Sequence, residues 1–328
     1  MKIEFLNQKD REMLESLFEV RQKPLMGILK NFLKKNYKKV ISTKNYIYAI
    51  GDIPVALVAH CDTVFPTPPI DIFYDSEKGV MWSPDGLGAD DRAGIWAIIK
   101  IIKSTKLRPH IIFTADEEMG GIGASALVKN CPKPFADMKY IIQLDRRGVN
   151  DCVFYDCFNE DFVDYVEKFG FKENFGSFSD ISVICPNWKV AGVNLSIGYE
   201  NEHSVSEVLW ISHMDRTIKR VVKMLEEIKD APYFNFVLNP YYYNWQALYT
   251  NNNTSTHVKC VCGKCQNLFE ESDVYPAKMS DGTSKYVCTG CLSDFYWCQR
   301  CNEPYEATPE ADNMLCDDCI KTIFYGGN

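Results

Sequence analysis

Apolar positions along the chain recur with two different periods, and the alternation of those periods predicts its elements. Residues 1 to about 40 are amphipathic and read as helix. "YIYAIG" and "IPVALVAHCDTV" are nearly unbroken apolar runs, the pattern of strands buried on both faces. "ADDRAGIWAIIKIIKS" has a long apolar middle and reads as a buried helix. "HIIFTADEE" (strand), "IGASALVKN" (helix), "KYIIQLD" (strand), "CVFYDCF" (strand), "NEDFVDYVEKFG" (helix) and "VAGVNLSIGY" (strand) continue the alternation. A last helix is predicted from Ser204 to about Lys229. Ser204 and Glu207 have capping-box spacing, and Val208, Ile211, Ile218, Val221, Leu225 and Ile228 follow at helical steps.

This order predicts an α/β domain over residues 1–230, built on a mixed, largely parallel sheet flanked by helices. An aromatic and asparagine-rich connector is expected over 231–257, and a small cysteine-rich, zinc-ribbon-like module over 258–328.

Composition narrows the class. The 328 residues are 46% hydrophobic and 24% charged, enough for a sizeable core, and the net charge of −8 gives no general attraction to nucleic acid or anionic membrane. No apolar run reaches the roughly 18 to 20 residues that span a bilayer. The mixed-charge N-terminus is unlike a signal peptide, so a cytoplasmic protein is expected. Nine of the fourteen cysteines lie between Cys260 and Cys319, and in a reducing compartment metal explains that density better than disulfides.

Residues of metal-binding type stand at the ends of the predicted strands, where open α/β sheets place ligands. They are His60 and Asp62 in "AHCDTV", Asp90 at the mouth of the buried helix, Glu117 and Glu118 in "ADEE", Asp145 in "IIQLD", and His203 in "NEH". Adjacent buried glutamates repel unless something positive compensates. Two divalent cations would do so, with one carboxylate bridging them and another left to handle a proton.

The set "HCDTV", "LGADDRAG", "ADEEMGGIGA", "QLD" and "NEH", spread over about residues 50–228, resembles the co-catalytic dizinc peptidases, among them aminopeptidases and peptidase T. The resemblance implies His60 and Asp145 on one zinc, Glu118 and His203 on the other, and Asp90 as the bridge. It makes Asp62 the residue that orients His60, and Glu117 the general base and later the acid. Manganese or cobalt are workable substitutes for zinc. Relatives that act as carboxypeptidases, deacetylases or peptidase T carry an inserted domain of roughly 100 residues. Only 57 residues separate Asp145 from His203, so a plain aminopeptidase-like domain is expected.

Asp91 reads as a helix-start charge, Arg92 as a brace for the acids, and His110 and His213 as structural. Arg146 and Arg147 either read a substrate carboxylate or neutralise nearby acids. Ser179 and Asp180 are candidates for supporting hydrogen bonds.

In the tail, Cys262, Cys265, Cys288 and Cys291 form one four-cysteine set, and Cys298, Cys301, Cys316 and Cys319 a second. The spacing predicts two structural zinc sites, with Cys260 and His257 to spare. From Val258 onward, six Lys and Arg face eleven Asp and Glu, a net −5, which disfavours phosphate binding. A module for a protein partner or self-association is expected instead. The functional expectation is a hydrolase of peptide or related amide bonds, an aminopeptidase first. The alternatives are a deacetylase, dipeptidase, carboxypeptidase or other amidase with the same centre, and a non-catalytic zinc-binding adaptor.

Overall fold

The computed structural model describes residues 6–238, 259–270, 274–280, 283–298, 304–306 and 315–316. The chain divides into two compact units, Met1–Gln246 and Ala247–Asn328.

The first unit opens with two helices, α1 (Gln8–Phe18) and α2 (Gln22–Asn36), within the stretch that the sequence read as helical. Next come β1 (Lys39–Ser42), β2 (Tyr46–Ile50), β3 (Ile53–His60), and a short hairpin of β4 (Phe73–Asp75) and β5 (Val80–Trp82). α3 (Ala89–Ser104), β6 (Pro109–Thr114), α4 (Ile122–Asn130), β7 (Tyr140–Arg146) and β8 (Asp151–Val153) follow. After them come α5 (Glu160–Glu167), β9 (Lys172–Glu173), α6 (Asp180–Trp188), β10 (Gly192–Ser196), β11 (Tyr199–Glu200), β12 (Val208–Trp210) and α7 (Ile211–Glu226).

Eight strands form the main sheet in the order β1-β2-β6-β3-β7-β10-β8-β9. Its centre, β6-β3-β7-β10, is parallel, and antiparallel pairings flank it on both sides, so the sheet is mixed with a parallel core. Side chains alternate across it as a strand requires. Val55, Leu57 and Ala59 of β3 meet α1, α2, α3 and α7 on one face. Ala56 and Val58 meet α4 and α6 on the other. Because β3, β6 and β7 run the same way, His60, the loop after Thr114, and Asp145 emerge at one edge.

α6 and the hairpin β4–β5 were not legible as elements in the sequence. The hairpin joins β12 and β11 in a second, four-stranded sheet, which gives the Asp62–Asp90 segment its structure. The last helix starts at Ile211, seven residues after the capping box suggested, because Val208–Trp210 pairs with β5 as a strand. Residues 231–238, the described part of the expected connector, belong to the first unit, with Phe234 buried and its ring 4.8 Å from that of Phe162.

The second unit contains β13 (Lys259–Val261), β14 (Leu268–Glu270), β15 (Val274–Lys278), β16 (Ser284–Cys288), the short helix α8 (Thr289–Leu292), β17 (Tyr296–Trp297) and β18 (Pro304–Tyr305). Its main buried cluster, among the described residues, is small: Val274, Ala277, Val287 and Phe295 with Cys262 and Cys288.

Candidate metal centre

His60 is buried at the end of β3, with its two ring nitrogens facing different partners. Nδ1 lies 3.3 Å from Asp62 Oδ1, and Nε2 lies 2.9 Å from Asp90 Oδ1 and 3.5 Å from Asp145 Oδ1. The other oxygen of Asp62 accepts the Glu118 amide at 3.0 Å, tying this loop to the glutamate pair. Asp90 Oδ2 faces His203 Nε2 at 3.3 Å, and His203 Nε2 meets Glu118 Oε1 at 3.0 Å. The two oxygens of Asp90 are thus divided between two imidazoles. Asp145 stands beside the first imidazole and Glu118 beside the second. The six predicted residues His60, Asp62, Asp90, Glu118, Asp145 and His203 converge, and all of them but Asp62 line, together with Glu117, a cavity of about 150 Å³.

Local sequence explains each placement. Asp116, before the glutamates, has φ 57 and is held by Gln22 of α2. The Gln22 amide nitrogen donates to Asp116 Oδ1 at 2.7 Å, and its oxygen accepts the Asp116 amide at 3.1 Å. The two glycines after "EEM" then turn the chain with φ 86 and 68, and both amides return to the Glu117 carbonyl. Gly94 lets α3 close on β7, since a Cβ there would meet the Leu144 carbonyl oxygen at 2.2 Å. A cis peptide joins Asp90 to Asp91.

Asp91 is buried beside the cluster, but its oxygens already accept the amides of His60 (3.1 Å) and Gly94 (3.0 Å), which fits a helix-start role. Arg92 does not brace the acids by hydrogen bonds. Its Nη1 donates to the Leu17 and Val20 carbonyls and fixes the α1–α2 turn. Asp145 is held by Gln143, Ser179 and Tyr199 through side-chain bonds of 3.1, 2.9 and 3.1 Å, and Asn194 clamps its backbone. Ser179 thus supports the cluster directly, whereas Asp180 accepts from Thr114 at 2.5 Å. Arg147 pairs with Glu202 at 2.7 Å, and Arg146 donates to the Phe175 carbonyl at 3.0 Å. His110 is buried against Tyr48.

The electrostatics show a site short of positive charge. Burial, with Asp145, Asp180 and Glu118 nearby, pushes Glu117 up to about 9. Burial and Asp90 push Asp145 up to about 7. Hydrogen bonds to Asp90 and Glu118 raise His203 to about 11. Burial would raise Asp90, but His203 and His60 hold it below the usual carboxylate range. Burial would lower His60, but Asp145, Asp62 and Asp90 raise it well above its ordinary value. The imidazole nitrogens and carboxylate oxygens face one another at 2.9 to 3.5 Å, and imidazole with carboxylate is a donor set suited to zinc. The residues fit the group.

In the second unit, Cys262 and Cys265 come from the turn after β13, Cys288 ends β16, and Cys291 lies in α8. One sulfur from each lies within 4.8 Å of the others, a candidate metal site of thiolate type. Burial would raise the Cys262 thiol, but the amides of Cys265, Cys288 and Lys264 bring it down to about 6. Of the second set, Cys298 and Cys316 are buried together, the Cys316 amide 3.4 Å from Cys298 Sγ. Cys301, Cys319 and His257, and the side chain of Cys260, lie outside the described residues.

No family model and no curated protein sequence matches the chain. Solved structures do match. Aminopeptidase PepT from Bacillus cereus superposes with a TM-score of 0.52 at 16% identity, over 69% of this chain and 100% of its own. A tripeptidase from Staphylococcus aureus gives 0.54 at 14% identity, over 68% and 99%. A TET aminopeptidase from a marine-sediment Thaumarchaeota archaeon gives 0.50 at 14%, over 68% and 99%. At such identities the likeness is one of fold: the sheet and its helices are arranged as in these peptidases, as the motifs implied. Among the described residues no helix is long and apolar enough to cross a membrane.

Proposed function

We propose that the chain is a metal-dependent peptidase, and within that class an aminopeptidase that works with two zinc ions. The observation that carries this reading is Asp90, whose oxygens stand 2.9 Å from His60 and 3.3 Å from His203. That geometry suits one shared ligand between two cations, with Asp145 completing the His60 side and Glu118 the His203 side. When bound, the two ions supply Lewis acidity toward the scissile carbonyl and lower the pKa of a water. Asp62 fixes the orientation of His60 from behind, through Nδ1. Glu117 takes the proton of the attacking water and passes it to the leaving amine. Its raised pKa of about 9 comes from burial and from like charges nearby, and cations at the cluster relieve the latter.

Of the five acids lining the cavity, Asp90, Glu118 and Asp145 would be taken up by the ions, which leaves Glu117 and Glu202, the latter paired with Arg147. This favours a substrate with a free α-ammonium. The tail cysteines hold two structural zincs in the same reading, and the module's acidic charge suits a protein partner or self-association.

The test is a panel of aminoacyl amides with N-acetylated and C-terminally amidated counterparts. Activity should fall at least about 100-fold on N-acetylation and change little on C-terminal amidation. Damage from amidation instead would mean that Arg146 reads a carboxylate, as in a dipeptidase or carboxypeptidase. Preference for acetylated substrates would make the enzyme a deacetylase.

A further inference from the structure

The chain just ahead of the regular turns of α3 is not helical at Asp90 and Asp91, and Asp91 Oδ1, which accepts the Gly94 amide, caps the turns that follow. A helix start leaves amide hydrogens without partners, and a side chain at the first position usually accepts one of them. The amides ahead of that cap, from Gly88 (φ 71, ψ 34) to Asp90, are left over, and a Cβ at Gly88 would meet Thr63 Cγ2 at 3.1 Å. The acceptor comes from 119 residues further along. Glu207 Oε2 accepts the Gly88 amide at 2.5 Å and the Ala89 amide at 3.0 Å, and Oε1 accepts the Asp90 amide at 3.1 Å. Glu207 is fully buried, and a buried carboxylate is tolerated only when bonded in this way.

The same acid closes the loop that carries His203. That loop has two residues in the left-handed region, Asn201 at φ 58 and His203 at φ 61, and the His203 side chain is 52% exposed. Its other described side-chain bonds, apart from the His203 contacts, run within the loop among Asn201, Ser204 and Ser206, and from Glu202 to Arg147. Glu207 alone joins it to the amide of Asp90.

We propose that Glu207 is a positioning residue that sets where Asp90 and His203 stand relative to each other. The proposal rests on the two-metal reading above. Its consequence is asymmetric. The ion shared by Asp90, Glu118 and His203 has two ligands placed through Glu207, whereas the ion shared by His60, Asp90 and Asp145 has one. Loss of Glu207 should weaken the first far more than the second.

The experiment is a cobalt(II) titration of the chelator-stripped full chain. Thiolate-bound cobalt is told apart by its near-ultraviolet charge-transfer bands, and cobalt on nitrogen and oxygen by its visible bands. Wild type should take two equivalents of the latter kind. Glu207→Gln keeps the volume but presents an amide NH₂ to amide donors. It should bind one of the two equivalents about 10- to 100-fold more weakly, the usual cost of losing an outer partner of a metal ligand, and the other within about 3-fold. Glu207→Asp, with both oxygens but a shorter reach, should recover part of the loss.

A cooperatively melting Glu207→Gln with both affinities unchanged, or both reduced alike, would overturn the proposal. Should that variant not fold, hydrogen exchange of the wild type decides. The amides of Gly88, Ala89 and Asp90 must be protected as strongly as those of β3, and exchange at loop rates refutes the clamp. Fewer than two equivalents of nitrogen- and oxygen-bound cobalt in wild type would instead refute the two-metal reading, and the proposal with it.

Discussion

The two candidate metal centres are held in opposite ways. In the first unit, the ligand types are delivered by parallel strands and a buried helix, all anchored in an extensive apolar core. His60 and Asp145 keep their places because β3 and β7 are packed on both faces. In the second unit, four cysteines from a turn, a strand end and a short helix converge beside a cluster that holds few apolar residues among those described. A core of that size contributes little, and a bound ion would supply much of the folding free energy. Metal at the first centre would decorate a fold; at the second it would help to make one.

The largest expected effect follows from that contrast. Prolonged chelation of the full chain should leave the amides of β3, β6 and β7 protected from exchange while those of β15 and β16 exchange freely. Structural zinc in small modules is worth about 10–16 kcal/mol, more than such a module can replace. Before chelation the chain should carry about four zinc ions, two per unit. Protection of β15 and β16 without metal would erase the contrast.

A second test lies within the glutamate pair. Glu117→Gln should keep both ions of the first unit and its melting temperature, and lower turnover by at least about 100-fold. Glu118→Gln should instead lose affinity for one ion. Identical behaviour of the two would show that the pair has no division of labour.

Most of what makes this contrast was legible in the sequence. The strands buried on both faces announced the sheet, and the residues at their ends announced the cluster. Two of the failures share a cause, which is that local pattern cannot report a partner far along the chain. "SVSE" looked like the capping box of the helix after it, yet Glu207 binds the amides of Gly88, Ala89 and Asp90 at the approach to α3, up to 119 residues earlier. Gln22 carried no signal, although it grips Asp116 across 94 residues. α6, with Pro186 and mixed polarity, gave no clear period, and β12 was absorbed into the predicted helix because its apolar residues fit either reading.

The smallest effect probes this long-range support. Gln22→Ala frees Asp116, and with it the approach of Glu117, from α2. Turnover should drop about 10-fold through misplacement of the reacting group, with a stability loss of about 1 kcal/mol for the missing hydrogen bonds. An unchanged turnover would confine Gln22 to holding the helix.

The central claim is that Asp90 joins two cations, and anomalous scattering at the zinc edge from crystals of the metal-loaded chain tests it most directly. Two peaks are expected in the first unit, about 4 Å apart or less. One should lie among His60, Asp90 and Asp145, and the other among Asp90, Glu118 and His203. A single peak there, or one coordinated by Asp91 in place of Asp90, would contradict it.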